Sequence, residues 1–279
     1  MPPLSALAVA AITLSLVMTG AWLVAIRTGQ SGWIDAIWSL AVGGAGVALA
    51  LLPSDGGSQL ATRHHVVALL AAFWSLRLGL HIVSRTMKGG DDPRYAQLRQ
   101  DWGENFRRRL FWFLQIQAAC ALLLVLAIAT AAHNPASELR LGDWLGIIIM
   151  LVAIAGETLA DRQLARFRAD PQNKGRVCDA GLWRYSRHPN YFFEWLAWLA
   201  YAAIAIDPTG AYPWGWIALC GPLFMYWLLV HVSGIPPLEA HMLRSRSDAF
   251  RTYQQRVNAF WPGPPAQPSS IHNPGNPKS

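Results

Sequence analysis

Apolar residues in this chain gather in long unbroken stretches, not in the alternating or one-face patterns of water-exposed strands and helices. The stretches run at about 4–26, 33–52, 65–85, 110–132, 142–163, 191–206 and 212–233. Each is near the roughly 20 residues a helix needs to cross a bilayer core at about 1.5 Å per residue. Hydrocarbon offers no water to satisfy a free N–H or C=O, so a spanning segment must bond its own backbone as a helix. The pattern predicts an all-α, polytopic membrane protein with seven transmembrane helices. The first stretch has no Lys or Arg before Arg27. Lacking a positive n-region, it reads as a membrane helix and not a signal peptide. From Pro262 the composition turns to Pro, Ser and Asn, which predicts one membrane domain over 1–261 and a disordered tail over 262–279.

Composition sharpens the picture. Of 279 residues, 53% are hydrophobic and only 14% charged, against about 25% charged in soluble domains. The 14 Trp suit the boundary between hydrocarbon and water. A water-soluble globule is thereby excluded. A net charge of +7 would suggest nucleic acid in a soluble protein, but here the basic residues mark topology. Of the 23 Lys and Arg, Arg63 and Arg140 fall in loops on one side, Arg77 and Arg85 lie inside the third stretch, and the rest lie on the other side. The N-terminus is expected outside and the C-terminus in the cytoplasm, and the short loops suit a bacterial inner membrane. Cys120, Cys178 and Cys220 are far apart with no CxxC spacing, so neither a disulfide framework nor a zinc site is expected. No Walker loop, GxGxxG or HExxH occurs, and neither metal nor nucleic acid is expected as a partner.

Ionisable groups at membrane depth are costly, and each is a candidate for function. The second stretch holds Asp35, with Trp38 and Ser39 near one face; the third holds Arg77, His81 and Arg85 at spacings of four, hence on one side of a helix. Glu157 and Asp161 stand four apart in the fifth, followed by Arg168, and Glu194 opens the sixth. Such groups can also pair merely to fix helix packing. Three basic residues on one stripe facing acids from two other spans instead suit a polar cavity for a phosphate- or carboxylate-bearing ligand. The densest segment, NKGRVCDAGLWRYSRHPNYFFE, supplies Asn173, Lys174, Arg176, Arg187 and His188 as polar and cationic groups. Tyr185, Asn190 and Tyr191 add directional hydrogen bonds and ring faces that a loop serving topology alone would not need.

At these residues the chain resembles the DUF1295 branch of the membrane-embedded steroid 5α-reductase family. The resemblance rests on WIDAIWS, LRLGLHIVSR, DPRYAQLR, GLWRYSRHPNYFFEW, SGIPPLEAHML and AFRTYQQR. It implies a seven-helix fold holding NADPH in a cavity open to the cytoplasm, and reduction of the Δ4 double bond of a 3-oxo-steroid or similar enone lipid. Residue by residue, Asp161, Arg168, Asn190, Glu194 and Arg176 match cofactor contacts of the family, and Lys88 lies near another. Arg77, Arg85, Asn173, Lys174, Tyr185, Arg187, His188, Tyr191 and Glu239 join the expected cofactor set from their chemistry. Family members place a Gln-Glu pair on the second span and a Tyr on the third to polarise the substrate carbonyl, whereas here Asp35 is the second-span acid and Trp74 stands near that Tyr. Phe193 occupies a position where relatives often carry Gly, which would narrow the space beside the cofactor.

Hydride addition to an enone needs a donor on the ketone oxygen, where negative charge develops. Asp35, held protonated by burial, is the first candidate and His81 the second, with Trp38 and Trp74 as walls for the apolar substrate. Two rivals remain. RHPNY and the Glu239 segment PPLEAHM resemble motifs of membrane methyltransferases of the isoprenylcysteine carboxyl type, which use S-adenosylmethionine. A non-enzymatic transporter or lipid scaffold would expect broken helices or repeats, which the sequence lacks.

Overall fold

The computed structural model describes residues 2–53, 60–88 and 92–266. The tail expected to be disordered lies, from residue 267 onward, outside them. Ten α-helices are present among the described residues and no strand. They are α1 (Leu4–Thr28), α2 (Gly32–Ala50), α3 (Thr62–Met87), α4 (Pro93–Trp102), α5 (Phe106–Ala132), α6 (Leu141–Ala169), α7 (Pro189–Ala205), α8 (Cys220–Trp227), α9 (Ile235–Ser245) and α10 (Ser247–Arg256). A 3-10 stretch, Pro213–Leu219, leads into α8, and a π-turn, Leu228–Val232, follows it.

Six helical stretches are long and apolar enough to cross a membrane: Leu4–Thr28, Gly32–Ala50, Thr62–Met87, Arg94–Ala132, Leu141–Ala169 and Pro213–Ser245. The remaining predicted span is α7, whose 17 residues reach only about 26 Å at helical rise. Three helices lie outside the predicted spans. Asp92 caps α4 by accepting from the Arg94 N–H at 3.0 Å, with a proline at the helix start. The hairpin of α9 and α10 buries Phe250, Tyr253 and Val257 against Val177, Met242 and Leu243. These helices are short, polar on one face and stabilised by docking, so hydropathy alone does not reveal them.

Close backbone approach holds the bundle. A Cβ on Gly142 would sit 2.5 Å from the Ala203 carbonyl and one on Gly146 2.7 Å from that of Ala200, so α6 and α7 pack through small residues. A Cβ on Gly156 would meet the Phe193 ring at 2.3 Å. The Phe193 ring therefore fills a notch left by glycine on α6. On α2 and α3, a Cβ at Gly43 would clash with Ser75 at 2.0 Å.

The two basic residues assigned to the far side staple that end. Arg63 is 1% exposed; its guanidinium donates to Asp143 at 2.7 and 2.9 Å and to the carbonyls of Asn134 at 2.9 Å and Glu138 at 2.6 Å. Arg140 reaches Asp207 at 3.4 Å. A buried ion pair holds when its donors are all used, as those of Arg63 are.

Candidate functional site

At the opposite end of the bundle, polar side chains from α2, α3, α4, α6 and α7 form two neighbouring networks, with a third beneath them on the α9–α10 hairpin. In the first, the guanidinium of Arg77 lies between the carboxylates of Glu157 and Asp161, one turn apart on α6. Its Nε donates to Thr158 Oγ1 at 3.4 Å. His81 Nε2 stands 3.6 Å from Asp161, and the Asn190 amide donates to Asp161 at 3.4 Å. Below them Glu194, 6% exposed, accepts from the indoles of Trp74 at 2.9 Å and Trp198 at 3.1 Å. The Tyr201 hydroxyl, near Glu194, is buried without a hydrogen-bond partner.

The second network centres on Asp35, which is ion-paired with Arg94 and accepts the Tyr95 hydroxyl at 3.1 Å. Gln117 donates to that hydroxyl at 3.3 Å. Arg94 also bonds Asp92 at 2.9 Å, and Arg85 lies 3.2 Å from the same carboxylate. Burial alone would raise the Asp92 carboxyl, but the hydrogen bonds and charge of Arg94, with Arg85 behind them, hold it below its ordinary value. Tyr191 lies within electrostatic reach of Arg94, Asp92, Arg85 and Asp35. Consecutive residues of α7 therefore face both networks, Asn190 toward Asp161 and Tyr191 toward Arg94.

The third network fastens the loop before α7 to the hairpin. Arg187 donates to Glu239 at 2.7 Å, His188 Nε2 lies 3.0 Å from the same oxygen, and Gln254 donates to the other at 2.7 Å. Burial pushes the His188 imidazole below its ordinary value, with Glu239 pulling the other way. Its ring stacks on Tyr191 at 5.4 Å. The Tyr253 hydroxyl donates to the Trp183 carbonyl, tying α10 to the same loop.

At the mouth the charges are unbalanced. Arg168, in the last turn of α6, forms no ion pair or hydrogen bond among the described residues, and the charges acting most strongly on it are those of Arg246 and then Arg85. The Nε of Arg246 is buried without a partner. Lys88, Lys174, Arg176 and Tyr185 are exposed around this rim, while Asn173 bonds the Phe167 carbonyl at 3.1 Å and finishes α6.

Most expected site residues thus fall at one end of the molecule, with changed partners. Asp35 already holds two donors and serves as acceptor, so the O–H at that point belongs to Tyr95, a correction to the donor role expected of Asp35. Trp74 is 1% exposed and donates inward to Glu194; it closes the interior and does not line open space, again unlike the expectation. Trp38 donates to the Gln117 carbonyl at 3.1 Å. Arg187 is taken up by Glu239 and by the carbonyls of Gln254 and Val257, and His188 Nε2 faces Glu239. Tyr95, Arg94, Gln117, Gln254 and Arg246 were not among the expected set, and Glu157 stood only as an unassigned acid. The spacing of Glu157 and Asp161 signalled one of these; nothing local signals that Tyr95, on a polar segment, folds back onto Asp35.

Residues 21–257 match the model of a family described as a protein of unknown function, DUF1295. The chain is 25% identical over 269 residues to the uncharacterized protein C594.04c of Schizosaccharomyces pombe, covering 86% of this chain and 75% of that one. No solved structure matches.

Proposed function

The chain belongs to the DUF1295 family, in its steroid 5α-reductase-like branch, and from that premise we propose that it is a membrane reductase. Its proposed reaction is NADPH-dependent saturation of the Δ4 double bond of a 3-oxo-steroid or similar enone lipid, at a site open to the cytoplasm. The observation that carries the reading is the juxtaposition at Asn190 and Tyr191: an anion-seeking arginine mouth beside Asp161, and a tyrosine hydroxyl on an ion-paired carboxylate next to it.

The residues present fit the cofactor. Arg168 and Arg246 offer guanidinium charge with no carboxylate partner among the described residues, suited to phosphate groups, with Arg85, which also pairs with Asp92, and Lys88 nearby. Asp161, Asn190, Glu157 and Glu194 offer acceptors and one amide for ribose hydroxyls and a carboxamide. What NADPH supplies when bound is a hydride for the β-carbon of the enone. The chain's own part is to hold the substrate, exclude water and stabilise the charge gathering on the ketone oxygen. Tyr95 is the proposed donor to that oxygen: its one proton, on Asp35 at 3.1 Å, is exchanged to the substrate oxygen while Gln117 donates to the phenol oxygen at 3.3 Å. Arg94 fixes Asp35, and Trp74 and Trp198 seal the floor on Glu194. His81, half-exposed beside Asp161, stands where protons exchange with solvent.

A thermal-shift titration of the full chain in detergent tests this reading. NADPH at a hundredfold excess over its dissociation constant is expected to stabilise the protein by about 2.7 kcal/mol, with S-adenosylmethionine inert. Stabilisation by S-adenosylmethionine alone would overturn it in favour of a methyltransferase. One observation favours that second reading: the RHPNY segment and Glu239 meet, at 3.0 Å between His188 and the carboxylate.

A further inference from the structure

A groove of about 510 Å³ opens on the outer face of α5, lined by Trp102, Arg108, Arg109, Trp112, Phe113 and Ile116 among others. Its residues form a stripe down one side of the helix. Arg109, Trp112, Phe113 and Ile116 are spaced three, four and seven residues from the first, so they share a face. Arg108 and Arg109 are exposed in the first turn of α5, and among the described residues neither forms an ion pair or hydrogen bond. Below them Trp112 is 59% exposed and Ile116 62% exposed, on the face of α5 that carries Phe113 and not on that of Gln115 or Gln117. Trp102 at the end of α4 closes one wall, its ring 6.0 Å from that of Phe113.

Read from the helix start inward, the stripe runs cation, indole, hydrocarbon. That is the order of phosphate, glycerol region and acyl chain in a phospholipid at a membrane boundary. Across 103–109 the only carboxylate is Glu104, against Arg107, Arg108 and Arg109, so the head end attracts negative charge. The groove is shallow and open along the helix, and the arginine pair at its head sets it apart from the ordinary apolar lipid-facing surface of a helix. We propose that it binds one anionic phospholipid from the bilayer, its phosphate between Arg108 and Arg109 and one acyl chain along Trp112, Phe113 and Ile116. The proposal does not depend on the reductase reading.

The test uses the full chain in nanodiscs of phosphatidylcholine with a minor fraction of phosphatidylglycerol, released into native mass spectrometry. One phosphatidylglycerol per protein is expected to survive release, in preference to phosphatidylcholine. Each surface arginine is worth about fivefold in affinity for an anionic lipid, so Arg108→Gln with Arg109→Gln should lower retention about 25-fold. Ile116→Trp keeps both charges but fills the acyl channel; because residue 116 faces outward, the fold is expected to tolerate it. Loss of retention in both variants supports the site. Loss in the arginine variant alone means diffuse attraction, and loss in neither, or equal retention of both lipids by the unaltered chain, overturns the proposal.

Discussion

Tyr95 is 3% exposed, and in the proposed mechanism its one hydroxyl proton, which lies on Asp35 at 3.1 Å, turns from that carboxylate to the developing oxyanion while Gln117 keeps the phenol oxygen in place. Removing one such donor costs about 100- to 1,000-fold in rate. Tyr95→Phe should therefore lower kcat by that order while leaving NADPH affinity unchanged, measured by single-turnover kinetics and a binding titration side by side. A loss of binding equal to the loss of rate would place Tyr95 in the cofactor seat instead. His188 makes a pH prediction. Burial lowers its pKa in the folded protein, so the fold binds fewer protons there than the unfolded chain. Its contribution is fully present above the unfolded value of about 6.5 and is lost as pH falls from there through the lower folded value. Thermal midpoints should drop on acidification across that value, and His188→Gln should flatten the drop. At this scale the sequence was partly legible. Ionisable residues in apolar stretches advertised Arg77, Glu157, Asp161 and Glu194, because no water at that depth excuses them. Their partners were not legible, since the contact of Asp35 with Arg94 spans 59 positions and no local period encodes it.

Helix against helix, the account rests on small residues. Gly146 meets Ile204 and the Ala200 carbonyl at 2.5 and 2.7 Å, so Gly146→Leu must push α7 away from α6 and carry Asn190 and Glu194 with it. Overpacking of this kind costs about 1–3 kcal/mol. Gly44 has nothing within 4 Å of a built Cβ, so Gly44→Ala should be neutral or stabilise by up to about 1 kcal/mol. Chemical denaturation in mixed micelles compares the two. Opposite signs are expected, and equal effects would remove the close-packing argument. The α9–α10 hairpin hangs on Arg187 and Glu239. Glu239→Gln weakens charge-assisted bonds worth about 1.5–3 kcal/mol each, and limited proteolysis should then cut α10 faster with the rest of the chain intact. The long apolar helices were legible as elements because a bilayer demands length and hydrocarbon. Helices α4, α9 and α10 escaped because they are polar-faced and form only by docking, whereas α7 matches its expected stretch closely, opening slightly earlier because Pro189 starts the helix.

Taken whole, the molecule divides its ends. The far end is locked by Arg63, Asp143 and Arg140, with all the Arg63 donors matched to acceptors. The other end combines a buried carboxylate cluster around Arg77, a tyrosine on Asp35 and an arginine mouth in which Arg168 has like charges for neighbours. Polar groups gathered this way are expensive in a membrane protein, and a ligand with phosphate and hydroxyl groups accounts for both the excess of cations and the row of acceptors. The most direct measurement is turnover by the purified full chain of a 3-oxo-Δ4 steroid with NADPH, read by mass spectrometry of the steroid. The account predicts a product two hydrogens heavier, formed only when NADPH is consumed. An unchanged steroid in a protein that binds no NADPH, or a lipid product one methyl group heavier with S-adenosylmethionine, would contradict it.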